Sequence, residues 1–164
     1  MKQASIIAII AVAHLFSACS DRNDSGSKAM KAQSIPTKTS GKMKNLVSIV
    51  EIPTDSFQRA TRFYQAILDV SIEEIDMQGT RMGLFPGDEG AVNVAIIHGA
   101  GYKPSSQGTL AYLNGGKDLQ NVLNKIEPNG GKVIVPKTGI SPEAGFFAMF
   151  MDSEGNKIGL HSYQ

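Results

Sequence analysis

The sequence predicts an α+β domain of two tandem βαβββ modules, their mixed sheets curved into a half-barrel around a cavity. Three observations predict it. Residues 45–164 contain two stretches that share one order of elements: an apolar strand, a helix-period segment, then three short apolar runs. Gly, Pro, Asn and Asp fall between those runs, where turns are needed. One helix can cover only one face of each sheet, so two such units are expected to curl their sheets around a shared interior that becomes core or pocket.

The first module opens at residues 45–53, NLVSIVEIP, a strand ended by Pro53. Thr54 or Asp55 is placed to cap a helix in which Phe57, Ala60, Phe63, Tyr64, Ile67 and Leu68 recur at helical spacing. Strands are expected at 70–76, 81–86 and 91–98, separated by Gln78-Gly79 and by the turn-rich stretch 87–90. The second module repeats the plan. It has a strand at 109–114, a helix start at Gly115-Gly116-Lys117-Asp118, and apolar Leu119, Val122, Leu123 and Ile126 at i, i+3, i+4 and i+7. Pro128-Asn129-Gly130-Gly131 ends that helix. Strands at 132–136, 145–151 and 156–162 follow, the last two joined by a turn at Asp152-Ser153-Glu154-Gly155.

The stretch before residue 45 is an address followed by a tether. Lys2 precedes the apolar run 6–16, IIAIIAVAHLF, which is too short to span a bilayer but suits the apolar region of a secretory signal. Residues 1–18 are therefore expected to be a signal peptide. Phe16-Ser17-Ala18-Cys19 resembles the lipobox of bacterial lipoproteins, with Phe16 in place of the usual Leu, and the resemblance implies that Cys19 is acylated. Cys19 is the chain's lone cysteine, so no intramolecular disulfide or Cys-rich zinc site is available. Residues 19–44 then form a polar tether that would connect the domain to the membrane, and Ser20 resembles the pattern that sorts lipoproteins to the outer membrane. This tether carries the positive charge. Residues 20–44 hold six Lys or Arg against two Asp, while 45–164 hold nine basic against thirteen acidic residues. A domain near −4 offers no electrostatic groove for nucleic acid, and none is expected as a partner.

The run PTDSFQRATRFYQAILDV, the GGKV after the second helix and the ending FFAMFMDSEGNKIGLHS resemble the vicinal oxygen chelate superfamily. It includes glyoxalases, extradiol dioxygenases, and fosfomycin and bleomycin resistance proteins. The resemblance covers the whole of 45–163 and implies the glyoxalase-like half-barrel. It also implies a place to look for chemistry, because metal-dependent members hold one divalent cation with His, Gln or Glu from the first and last strand of each module. Matching those strands puts the four positions near Val47 or Ile49, Val94, Thr109 and Gly159. None of these side chains is an imidazole or a carboxylate, so no divalent metal or other cofactor is expected. Members build their cavities within one chain or across a swapped dimer, which leaves a homodimer open.

Glu51, His98 and His161 lie two or four residues beyond those positions, at the same strand parity. Two imidazoles and a carboxylate at a cavity rim could hold a metal or shuttle a proton. The bland alternatives are a solvated strand-end Glu, a loop-opening His and a near-terminal His. Tyr112 shares parity with Leu110 rather than Thr109, which places it on the helix side, and Phe85, Phe147 and Met149 read as core. No G-x-S-x-G, H-E-x-x-H or phosphate loop is present; Asn114-Gly115-Gly116-Lys117 lacks the spacing of one. The resulting expectation is an envelope lipoprotein whose domain binds, sequesters or senses a small molecule without a metal, in a pocket lined by residues among Val47, Ile49, Glu51, Val94, His98, Thr109, Gly159 and His161. The alternative is a lyase or isomerase of glyoxalase type using Glu51, His98 and His161.

Overall fold

The computed structural model describes residues 45–164. The expected signal at 1–18, Cys19 and the rest of the tether to residue 44 lie outside the described residues. Among those described, no helix is long and apolar enough to cross a membrane.

The first module comprises β1 (Ile49–Pro53), α1 (Phe57–Leu68), β2 (Glu73–Met77), β3 (Thr80–Leu84) and β4 (Asn93–His98). The second comprises β5 (Tyr112–Asn114), α2 (Leu119–Ile126) continued by a 3-10 turn (Glu127–Asn129), β6 (Lys132–Ser141), β7 (Gly145–Met151) and β8 (Lys157–Ser162). Each module forms a four-stranded mixed sheet, in the orders β1-β4-β3-β2 and β5-β8-β7-β6. β1 and β4 are parallel, as are β5 and β8, and the other pairs are antiparallel. This is the expected α+β double module. β5 is shorter than the 109–114 expected, because only Tyr112, Leu113 and Asn114 pair with β8.

Local chemistry explains the element ends. Gln78 and Gly79 both have positive φ (51° and 93°), the geometry of a tight two-residue hairpin turn between β2 and β3. Asp118 caps α2 by accepting from the Gln120 N–H at 3.0 Å, and Gly130 in the left-handed region (φ 93°) terminates the 3-10 turn. The start of α1 departs from expectation. Its N-cap is Ser56, and the Ser56 side chain makes no capping bond. The cap comes from the other module: the Glu154 carboxylate accepts from the backbone N–H of Asp55 (3.1 Å) and Ser56 (2.8 Å).

Both helices turn their apolar stripes into one core. Phe57, Phe63, Tyr64 and Ile67 of α1 meet Leu119, Leu123 and Ile126 of α2, with Ile52 and Ile96 from the first sheet and Ala148, Phe150 and Leu160 from the second. Each such fully buried aliphatic or aromatic side chain contributes about 1.5–3 kcal/mol of transfer free energy. Aromatic edges order the centre, with Phe63 against Tyr64 at 5.1 Å and Tyr64 against Phe85 at 5.3 Å. The helix-side face of each sheet is therefore covered by this core, and the opposite face of the second sheet is left for other uses.

One junction between the modules is stitched by the β7–β8 turn. Asp152, buried, accepts from the Tyr64 hydroxyl at 2.7 Å and from the backbone N–H of Glu154 and Asn156. Asn156 donates to Pro53 O at 2.9 Å and accepts from the Ser105 N–H at 2.9 Å. The D-x-E-G-N ending thus places three polar side chains where the second module meets β1, α1 and the linker between the modules.

Candidate functional site

Alternation along paired strands assigns every candidate residue to a face. In the first sheet Ile52 and Ile96 are core residues paired in register, so Val94 and His98, at Ile96's parity, also lie on the helix side. The opposite face carries Ile49 and Glu51, which are exposed, and Ala95 and Ile97, which are buried. In the second sheet Leu113, Leu160, Ala148 and Phe150 face the helices, which leaves Tyr112, Gly159, His161, Phe147 and Met149 on the open face.

Expectations at six residues are corrected by this register. Val94 packs against the core instead of facing the cavity. His98 is on the helix face, its Nδ1–H donating to Thr54 O at 2.9 Å, and so it does not join Glu51. Thr109 precedes β5 in an exposed loop. Tyr112 is on the open face, not the helix side, because β5 pairs it with Gly159. Phe147 and Met149 likewise line the open face instead of the core, whereas Phe85 packs on the core as expected. Val47 is half-exposed just before β1, and Ile49 and Glu51 remain on the open face, with Tyr102 Oη 3.3 Å from Glu51. The Glu51 charge raises the Tyr102 pKa above its ordinary value.

The set Glu51, His98 and His161 is therefore not assembled. The residues present do not fit the divalent cation that the fold implies: on the open faces of β1, β4, β5 and β8 the imidazole and carboxylate donors are Glu51 and His161, and a chelate needs a third. Among the described residues no group of three His, Cys, Asp or Glu is arranged to hold a metal ion.

What the open face of the second sheet does form is an apolar hollow of about 540 Å³ lined by Tyr112, Ile140, Phe147, Met149 and His161. Gly159 makes it possible. The Tyr112 ring lies directly over Gly159, where any Cβ would collide with ring carbons, so the absent side chain lets the aromatic ring rest flat on the sheet. His161 is the one imidazole in the wall. Its Nε2 is 2.8 Å from Ala144 O, and since a carbonyl only accepts, Nε2 carries the hydrogen and Nδ1 keeps the lone pair in the neutral ring. The ring edge is fixed further by Tyr163 at 4.8 Å. Phe147 and Met149 escape sequence reasoning because β7 is apolar on both faces, so its alternation carries no contrast between inside and outside.

A family model described as the Glyoxalase/Bleomycin resistance protein/Dioxygenase superfamily matches residues 46–160. The chain belongs to this superfamily. No curated protein matches it. Among solved structures, the superfamily domain is similar to a glyoxalase/bleomycin resistance protein from Albidiferax ferrireducens, at 16% identity and TM-score 0.54, covering 71% of this chain and 98% of that one. It is similar to Leishmania major glyoxalase I, described as trypanothione-dependent, at 14% identity and TM-score 0.54, covering 73% of this chain and 87% of that one. A mutant of Zea mays glyoxalase I gives 17% identity and TM-score 0.55 over 69% of this chain, which spans 45% of the maize chain. What these comparisons share with the superfamily domain is its fold.

Proposed function

We propose that this glyoxalase-superfamily domain binds a small, largely apolar molecule without a metal, on the open face of its second sheet. The observation that carries the reading is the composition of the hollow: Tyr112, Ile140, Phe147 and Met149 supply apolar and aromatic surface, and His161 supplies one oriented polar atom. Few polar groups in a mostly apolar concavity is the usual make-up of a small-molecule site. Neutral His161 would accept a hydrogen bond at Nδ1, which favours a ligand with one hydroxyl or N–H on an apolar body. The sequence supports an envelope setting, with export by residues 1–18, acylation of Cys19 and a tether to residue 44, so that binding or sequestration would take place at the membrane surface.

The test is ligand screening by thermal shift on the full chain with small phenols and their methyl ethers, accompanied by metal analysis after dialysis against nickel, zinc, manganese and iron(II). A phenol that raises the melting temperature in the wild type, loses that effect in Phe147→Ser, and is favoured over its ether only while His161 is present supports the reading. Stoichiometric metal retention that disappears in His161→Ala would overturn it.

A further inference from the structure

We infer that the domain has a second ligand site, on the helix side of the molecule between its two modules, suited to an amphipathic carboxylate. The two modules repeat one plan, so each β-turn between the last two strands should meet the start of the other module's helix. At one junction it does: Glu154 in the β7–β8 turn caps α1, and Asp152 and Asn156 close the gap. The matching junction is built differently. The β3–β4 loop, residues 85–92, is longer and makes its bonds within its own module, Ala91 N–H to Asp88 O, Asn45 to Gly90 O and Phe85 N–H to Val94 O. The start of α2 is satisfied by its own residues, Asp118 accepting from Gln120 N–H and Asn114 from Gly116 N–H. With both sides self-contained, nothing draws them together, and a cleft of about 610 Å³ remains where the other junction is closed.

The lining defines the ligand. Phe85, Val94, Leu113 and Val122 form an apolar floor, and Lys117, Asp88 and the Asp69–Lys125 pair stand at the rim. Asp69 is neutralised by Lys125 across the two helices, and Asp118 by Lys137 at 2.7 Å. Lys117 on the α2 side and Asp88 on the loop side are then the charges that set orientation. An apolar body on the floor with a carboxylate at Lys117 satisfies both, because the anion is attracted to one wall and kept from the other. The volume falls in the range that takes a small organic molecule. This site shares no lining residue with the hollow of Tyr112, Phe147 and Met149, so either can fail without the other.

The probe is octanoate, titrated into the isotopically labelled full chain and followed by amide resonances, with octan-1-ol as its uncharged counterpart. Shifts centred on Gly115, Gly116 and Val94, an affinity at least tenfold weaker for octanol, and a tenfold loss in either Lys117→Glu or Val92→Glu support the site. Both substitutions are at exposed positions and spare the core. Phe147→Ser should leave octanoate affinity unchanged. Shifts centred on residues 147–149 and 159–161, octanol affinity within tenfold of octanoate, or a loss below tenfold in both rim variants would overturn it.

Discussion

Glu154 and Ser56 are 98 positions apart, yet the Glu154 carboxylate accepts the Ser56 backbone N–H at 2.8 Å and so begins a helix that belongs to the other module. The same carboxylate receives a two-point contact from Arg59, Nε to Oε1 at 2.7 Å and an outer nitrogen to Oε2 at 2.9 Å. One buried side chain therefore caps α1, pairs its first-turn arginine and holds the modules together.

Removing that carboxylate should cost more than an ordinary surface charge. Glu154→Ala leaves the α1 terminus without its acceptor and is expected to destabilise by about 2 kcal/mol. Arg59→Ala is expected to cost under about 1 kcal/mol, since the Arg59 side chain is half-exposed while that of Glu154 is fully covered. Urea midpoints at unchanged slope would check the pair; equal costs would contradict the capping role.

The clasp should also weaken in acid. Burial by itself would raise the Glu154 pKa, but the Arg59 hydrogen bond, the Ser56 N–H and the Arg59 charge together hold it below the ordinary 4.5. Because the folded pKa is depressed, the stabilisation is fully present above that ordinary value and is lost as pH falls through the lower folded one. Melting temperatures of wild type and Glu154→Gln, measured from pH 6 to pH 3, should converge at the acid end.

Tyr64→Phe is expected to cost about 1–2 kcal/mol, because it strips a 2.7 Å hydrogen bond from the buried Asp152 carboxylate without changing the aromatic packing. Burial first, and then the Asp152 charge, push the Tyr64 hydroxyl well above its usual range, so it stays a donor across the folded pH range. Asp152→Asn in the Tyr64→Phe background should add less than it does alone, and a double-mutant cycle reads that difference.

Gly159→Ala should damage the apolar hollow specifically. A methyl group there would displace the Tyr112 ring, at a cost of about 1–3 kcal/mol for overpacking and with a loss of affinity for any ligand held on that face. Ligand titration alongside the melting temperature checks this. An unchanged affinity would place the ligand elsewhere.

The sequence by itself determined the order of elements and the repeat. The stripe of Phe57, Ala60, Phe63, Tyr64 and Ile67 in α1, the Gln78-Gly79 hairpin and the Asp118 cap are local chemistry, read from spacing and turn residues alone. The tertiary structure decided which face of each strand is open. β4 is apolar from Val94 to Ile97 and β7 along its whole length, so alternation offered no contrast, and only the packing of Ile96 and of Phe150 in the helix-side core placed His98 inside and Phe147 outside. Long-range partners were hidden for the same reason. Nothing near Ser56 signals that its cap is Glu154, because that bond exists only once the second module has folded back onto the first.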